Sequence, residues 1–239
     1  MTRQPSYPHE VLAVVFRVAA GRLEALLWQR AKDPFADRWS LPGGELAAQE
    51  RLGASLARHL ADKVDVREIA YLEQLETRSD PDRDPRGRAL ATAYLGLVPS
   101  DSVPAVPPDT AWHAVSRLPP MAFDHGSIVT SARDRLRAKM SYTTIGFALM
   151  PHEFAIAALR EVYVAVLGHD VSATNLQRVL LRRGAVVATG VKLAPSAAGG
   201  RPASAYRFSS RSLEVTDPFA VFRPPLSQRG VGRRPVAAP

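Results

Sequence analysis

The first 140 residues alternate between short apolar runs and polar breaks. Residues 10–18, EVLAVVFRV, and 23–30, LEALLWQR, are rich in β-forming side chains and are separated by AAGR. A glycine-containing break of this length is typical of a hairpin, so these two runs predict paired strands. Runs at 68–76 and 89–98 predict two further strands on either side of the charged segment RSDPDRDPRGR.

Two longer segments, 46–63 and 124–140, carry apolar residues at helical spacing. Such spacing places one apolar stripe on each helix and turns that stripe toward a core. The stripes are Leu52, Leu56 and Leu60 in the first helix and Ile128, Ala132 and Leu136 in the second. Together with the strands, the helices predict a mixed α/β domain with a central sheet over residues 1–145.

The remaining chain has a different order of elements. A helix is predicted from Pro151 to 167, followed by the tight turn GHDVS. Ser172 is a favourable N-cap for a second helix that runs through Arg183. Two β-like segments, AVVATGVKLA and SAYRFSS, then flank PSAAGGRPA. The apolar side of the helix from Pro151 consists of Phe154, Leu159, Val162 and Val166. Helix, turn, helix and hairpin predict a winged helix-turn-helix domain over 146–223, with a disordered basic tail over 224–239.

Charge separates the two halves more sharply than composition does. Residues 1–140 contain 19 Lys or Arg and 18 Asp or Glu, whereas residues 141–239 contain 12 and 5. A neutral half joined to a basic half favours contact with a polyanion, although a basic surface that only maintains solubility is the alternative. The chain has no cysteine, and its apolar runs are too short to span a bilayer. We therefore expect a cytoplasmic protein without membrane contact.

The helix over 172–183 has the pattern of a recognition helix. Its inward residues are predicted to be Leu176, Val179 and Leu180. Asn and Gln can pair with adenine, and Arg can pair with guanine or phosphate. The predicted DNA-binding residues are Thr174, Asn175, Gln177, Arg178 and Arg182 on the helix, and Lys192, Arg201 and Arg207 in or beside the wing. The alternative is an ordinary amphipathic helix with solvated arginines.

Residues 43–66 resemble a Nudix box, G-x5-E-x7-R-E-U-x-E-E-x-G-U, where U is a bulky aliphatic residue. Gly44, Glu50 and Arg58 occupy their expected places. In the family the three later glutamates help to hold divalent metal for pyrophosphate cleavage; the equivalents in this chain are His59, Asp62 and Lys63. Mg²⁺ prefers clustered carboxylates, so this substitution predicts no metal site and no efficient hydrolysis. Lys63 can instead lie near a diphosphate and replace part of the metal charge. A helix that serves only as a scaffold is the alternative.

The motifs occur in an order that resembles the NrtR family, the Nudix-related transcriptional regulators of NAD metabolism. The order is the altered box, the RDPRGR loop, FDH at 123–125 and a winged domain containing RPASAYRF. The resemblance implies an α+β Nudix-like sandwich followed by a winged helix-turn-helix. It further implies a homodimeric repressor that binds a palindromic operator in double-stranded DNA and senses ADP-ribose or a related NAD derivative, with no required cofactor. The implied effector-binding residues are Arg30, Lys63, Gln74, Arg83, Asp84 and Arg86.

Two other functions fit parts of the sequence. The first is a slow metal-dependent pyrophosphatase that works through Glu50 and Asp62. The second is an adaptor whose winged domain binds a protein rather than DNA, which the basic balance of residues 141–239 disfavours.

Overall fold

The computed structural model describes residues 6–102, 105–194 and 202–216. Its strands are β1 (His9–Ala19), β2 (Arg22–Gln29), β3 (Trp39–Ser40), β4 (Gly43–Glu45), β5 (Tyr71–Arg78), β6 (Leu90–Leu97), β7 (Thr110–Ala114), β8 (Val186–Leu193) and β9 (Ala203–Phe208). Its α-helices are α1 (Leu52–Val64), α2 (His125–Tyr142), α3 (Ile156–Leu167) and α4 (Ala173–Arg182). Short 3-10 helices lie at Val115–Arg117 and Ile145–Ala148.

The first seven strands form one mixed sheet between α1 and α2. Its main path is β3-β2-β1-β6-β5, with β4 paired to β1 and β7 paired to β2. Strand β1 runs parallel to β6 and antiparallel to β2 and β4. Side chains alternate between the faces of a strand, so β1 contributes to two cores. Val11, Ala13 and Val15 pack with α1, whereas Leu12, Val14 and Phe16 pack with α2.

Two predicted helix starts were wrong. Helix α1 begins at Leu52, not at residue 46, because the Leu46 N–H is bonded to the His9 carbonyl beside the sheet. Helix α3 begins at Ile156, not at Pro151. Phe154 exchanges two backbone hydrogen bonds with Tyr206 and therefore lies in an extended segment. Both misplaced starts reflect backbone groups that are already used by distant strands.

Helices α3 and α4 with the β8-β9 hairpin form the second unit. The Ser172 hydroxyl accepts a hydrogen bond from the Asn175 N–H at 3.4 Å, which confirms the predicted N-cap. Leu176 and Leu180 are buried, and Val179 is half-buried. A helix-turn-helix followed by a hairpin is the expected winged arrangement. Arg201 and the predicted tail over 224–239 lie outside the described residues.

The two units share one continuous hydrophobic core. It joins Ile128 and Leu136 of α2 to Leu159 of α3 and Leu176 of α4. Arg137 of α2 also donates through Nε to the Val166 carbonyl at 2.8 Å. At 1.5 Å per residue, the 18 residues of α2 span about 27 Å. Within the described ranges, no helix is both long and apolar enough to cross a bilayer.

Candidate effector cavity and nucleic-acid interface

A cavity of about 230 Å³ opens where β1, β4, the C-terminal half of α1 and the start of α2 meet. Its polar and charged lining consists of Glu10, Arg30, Ser40, Glu45, Lys63, Arg86 and His125, and its aromatic lining consists of Trp28 and Phe123. A neighbouring cavity of about 360 Å³ shares Glu10, Glu45 and Arg86 with it. The two therefore border each other, and their lining suits a ligand with both anionic and aromatic parts.

Two residues in the altered part of the box bond to carbonyls of β4. Lys63 Nζ donates to the Gly43 oxygen at 2.5 Å and lies 4.8 Å from the Trp28 ring centroid. His59 Nε2 donates to the Glu45 carbonyl at 3.0 Å. Burial lowers the pKa of Lys63, and the nearby positive charge of Arg30 lowers it further. Lys63 therefore brings a half-buried ammonium to the lining of the cavity.

Glu50 and Arg58, which match the Nudix pattern, form a surface ion pair. Arg58 donates through Nε and Nη2 to the two carboxylate oxygens of Glu50 at 2.9 and 2.7 Å. This fork lowers the pKa of Glu50 to about 2. Asp62 is exposed, and neither Glu50 nor Asp62 lines the cavity. Across 6–102, 105–194 and 202–216, no cluster of three or more His, Asp or Glu side chains is placed to hold a metal ion.

Arg83, one of the predicted effector-binding residues, lines neither cavity. Its side chain is only 1% exposed and is enclosed by carboxylates. Nη2 lies 3.0 Å from Asp124 Oδ1, and Nη1 lies 3.4 Å from Glu10 Oε2. An arginine so fully paired inside the protein fastens the RDPRGR loop to α2 and β1. The sequence does not distinguish it from an exposed arginine, because burial of a loop side chain depends on distant elements.

Asp84 lines the neighbouring cavity of about 360 Å³ and is bonded to Arg86. Its side chain is 3% exposed, and its carboxylate accepts from Arg86 Nη2 at 2.6 Å. Arg86 itself is 55% exposed and lines both cavities. Asp84 therefore orients Arg86. Gln74 is exposed on β5 and lines neither cavity.

Two arginines approach one aromatic ring in the cavity. The guanidinium carbon of Arg30 lies 4.8 Å from the Phe123 centroid, and that of Arg86 lies 5.7 Å from it. Arg30 Nε donates to the Pro34 carbonyl at 2.9 Å, which fixes the side chain. Burial lowers the pKa of Arg30, and the charge of Arg86 acts in the same direction. Aromatic faces attract cations, so Phe123 helps to hold two like charges together.

His125 is the principal site residue that sequence reasoning missed. The Leu41 N–H donates to its Nδ1 at 3.1 Å, and the Ser40 hydroxyl lies 3.0 Å from the same atom. Since Nδ1 accepts a backbone hydrogen, the neutral ring carries its proton on Nε2. Nε2 is buried with no hydrogen-bond partner among the described residues. Burial lowers the pKa of His125 to about 3. The FDH motif was the available signal, but it did not reveal this unpaired donor.

The outer face of α4 carries four of the eight predicted DNA-binding residues. Thr174, Asn175, Arg178 and Arg182 are exposed there, as are Lys192 and Arg207 on the hairpin. Arg178 Nη2 donates to Asn175 Oδ1 at 2.8 Å, so the two side chains form one polar unit. Gln177 is half-buried and donates to the Tyr206 hydroxyl at 2.8 Å. This contact makes Gln177 a link between α4 and β9 in the free protein.

A Nudix-type sheet with a charged cavity, joined to a winged helix with a basic outer face, defines a ligand-binding domain attached to a nucleic-acid-binding domain. A model of the NUDIX domain matches residues 7–132, and a model of the NrtR DNA-binding winged helix domain matches residues 146–208. The chain is 30% identical over 226 residues to the ADPR responsive transcriptional repressor NtrR of Acinetobacter baylyi, covering 90% of this chain and 89% of that protein.

A solved relative has the same arrangement. The crystal structure of Shewanella oneidensis NrtR complexed with a 27mer DNA is 30% identical, with a TM-score of 0.71 over 83% of this chain and 92% of that one. Over 119 residues the chain is also 30% identical to an ADP-ribose pyrophosphatase of Methanocaldococcus jannaschii, 48% of this chain and 66% of that protein. The chain belongs to the NrtR family.

Proposed function

We propose that this protein is a DNA-binding transcriptional repressor of NAD biosynthesis or salvage genes, and that ADP-ribose or a related NAD derivative relieves its DNA binding. The observation that carries the proposal is the position of α2. This helix begins at the cationic cavity and ends against the winged domain, so it connects the two sites.

The DNA-binding role rests on the exposed face of α4. Arg178 and Arg182 stand on a helix whose opposite side is fixed by Leu176 and Leu180. Two copies of this helix in a homodimer would enter successive major grooves of a palindromic operator, about one helical turn apart. Double-stranded DNA is favoured over a protein partner because residues 141–239 hold an excess of seven positive charges. The solved Shewanella relative is itself complexed with DNA.

The effector role rests on the chemistry of the cavity. Arg30, Lys63 and Arg86 offer donors for phosphate oxygens, and Trp28 and Phe123 offer aromatic faces for a base. A nucleoside diphosphate has both the phosphate oxygens and the base that these side chains would contact. The Acinetobacter relative is responsive to ADPR, in keeping with this class of ligand.

Coupling between the sites follows from the contacts at the two ends of α2. Asp124, directly before the helix, is paired to Arg83 beside the cavity. Near the other end, Arg137 bonds to the C-terminal turn of α3. A ligand that moves α2 by repacking its first turn therefore displaces α3 and, with it, α4. A preference of about 1–3 kcal/mol for the displaced arrangement would weaken operator binding about 5- to 150-fold.

The test is fluorescence anisotropy with promoter DNA from NAD-biosynthesis genes and scrambled DNA of equal length, at two salt concentrations, with and without ADP-ribose. Preference for the promoter, weakened by ADP-ribose, is expected. Equal binding to both duplexes with no ligand effect would contradict the proposal. The Arg182→Ala variant serves as the control, because it should weaken DNA binding without altering ADP-ribose affinity.

A slow ADP-ribose pyrophosphatase is the second candidate function, and the Methanocaldococcus relative favours it. Since Glu50 is engaged by Arg58 and Asp62 lies outside the cavity lining, we propose that the protein does not use them for turnover. Release of AMP from ADP-ribose with Mg²⁺, abolished by Glu50→Gln, would support the hydrolase instead. A cytoplasmic location stays a prediction.

A further inference from the structure

The carbonyls of β4 beside the altered box already have hydrogen-bond donors. A divalent ion at this turn needs hard oxygen ligands. The nearest candidates are backbone carbonyls beside the positions where the Nudix box has glutamates. Lys63 Nζ is 2.5 Å from the Gly43 oxygen, and His59 Nε2 is 3.0 Å from the Glu45 oxygen. A cation placed there would displace an ammonium and meet its repulsion. The residues present therefore do not fit the Mg²⁺ that a Nudix fold implies.

The cavity provides its own positive charge. Arg30, Lys63 and Arg86 all belong to the lining, and Arg30 is close enough to Lys63 to lower the pKa of its ammonium. Of the acids in the lining, Glu10 is engaged by the enclosed Arg83 at 3.4 Å and by Arg86 at 3.6 Å. Glu45 is exposed. The lining itself thus holds three cationic side chains and two carboxylates, and Asp84 is bonded to Arg86 from beside it.

A second observation points to an acceptor-rich ligand. His125 is 3% exposed and lines the same cavity, yet its Nε2 has no partner in the described part of the chain. An unpaired buried donor is costly, so such groups usually meet a ligand or a water. Because Nδ1 already accepts from Leu41, the imidazole offers Nε2–H as a neutral donor to an oxygen.

We infer that the cavity binds the diphosphate of a nucleotide without a divalent metal, and that Lys63, together with Arg30 and Arg86, neutralises the phosphates in place of the ion. The inference rests on the proposed function, because it concerns the same effector cavity. It adds which groups of the protein neutralise the negative charge of the diphosphate. An ammonium lacks the Lewis acidity of a metal and keeps the affinity for phosphate while removing assistance to hydrolysis.

The test is isothermal titration calorimetry of the full-length protein with ADP-ribose, once in EDTA and once in excess MgCl₂. We expect the dissociation constants of ADP-ribose in EDTA and in MgCl₂ to agree within about threefold, which is a free-energy difference of less than about 1.4 kcal/mol. Binding that requires Mg²⁺ would overturn the inference and leave the proposed function standing. No binding in either buffer would contradict the proposed function as well.

Variants of Lys63 separate its charge from its packing. Lys63→Met keeps much of the side-chain volume and is expected to weaken ADP-ribose binding in EDTA roughly 10- to 100-fold, the value of a charge-assisted hydrogen bond. Lys63→Glu restores the acid of the Nudix box and is expected to bind measurably only when Mg²⁺ is added. Lys32→Met is the matched control, since Lys32 is exposed and outside the cavity lining.

Thermal unfolding of each variant shows whether it has folded. If a variant has not folded, the titrations of the unmodified protein in EDTA and in MgCl₂ decide the result. Equal affinity of Lys63→Met and Lys32→Met for ADP-ribose would overturn the role of Lys63. Titration with inorganic pyrophosphate gives a further readout. We expect pyrophosphate to compete with ADP-ribose. If pyrophosphate does not compete in EDTA, the diphosphate of the ligand lies outside the cluster of Arg30, Lys63 and Arg86, and the inference is overturned.

Discussion

Replacement of Arg83 by methionine tests the conclusion that this arginine supports the fold and does not contact the effector. The guanidinium is 1% exposed and bonds through three nitrogen atoms to Asp124 and Glu10. Methionine retains most of the length of the side chain but leaves Asp124 without its cationic partner and Glu10 with only Arg86, at 3.6 Å. Loss of one member of a buried ion pair costs about 3–5 kcal/mol.

The expected cost for Arg83→Met lies below that range. The side chains of Asp124 and Glu10 are 22% and 19% exposed, so water can solvate both carboxylates once the arginine is gone. We therefore expect a loss of about 2–3 kcal/mol in the free energy of unfolding. In a chain of this size each kcal/mol lowers the melting temperature by about 2–4 °C, so the total decrease should be about 4–12 °C.

Differential scanning calorimetry and calorimetric titration with ADP-ribose form the assay. Arg88→Met is the control for the melting temperature only: Arg88 is an exposed residue of the same loop whose guanidinium lies 5.0 Å from the Tyr7 ring, but it lines the neighbouring cavity. Its cost should stay below about 1 kcal/mol. Below its melting temperature, Arg83→Met should keep its affinity for ADP-ribose within a few-fold. An unchanged melting temperature combined with lost ADP-ribose affinity would refute the structural role of Arg83.

Three further predictions concern other parts of the molecule. Burial lowers the pKa of His125 to about 3. Below the ordinary histidine pKa of about 6.5, the unfolded chain therefore binds a proton that the folded protein excludes. The free energy of unfolding should fall as the pH drops below about 6.5, with a slope approaching about 1.4 kcal/mol per pH unit. Urea titrations between about pH 7 and 5 should show a flatter dependence for His125→Asn, and equal slopes would contradict the assignment. Removal of Arg178 or Arg182 should each lower the log–log salt slope of operator binding by about 0.9 if each neutralises one phosphate, as measured by anisotropy over a salt series. Unchanged slopes would exclude phosphate contacts from these residues. A Cβ on Gly44 would lie 2.5 Å from Cε1 of His59, so Gly44→Ala should destabilise the protein by about 1–3 kcal/mol. Adding His59→Ala should recover part of that loss in thermal melts, and a purely additive pair would argue against the clash.

Pattern alone determined the elements that bury an apolar face. The β1 and β2 strands, the α1 and α2 stripes and the N-cap at Ser172 follow from local periodicity and capping chemistry, which depend on neighbouring residues only. Helix starts were less predictable. The backbone of Phe154 pairs with Tyr206, more than fifty residues further along the chain, and no local rule reports such a bond.

The sequence by itself determined which charges the altered box carries and that a basic half follows a neutral one. The family resemblance implied Lys63, Arg30 and Arg86 as effector-binding residues, and all three line one cavity of the structure. Only the tertiary structure decided that Arg83 and Asp84 turn inward, that Gln177 bonds to Tyr206 and that His125 keeps an unpaired donor beside the cavity. The physical reason is that burial and hydrogen-bond pairing are set by elements distant in sequence, whereas charge and periodicity belong to the residues themselves.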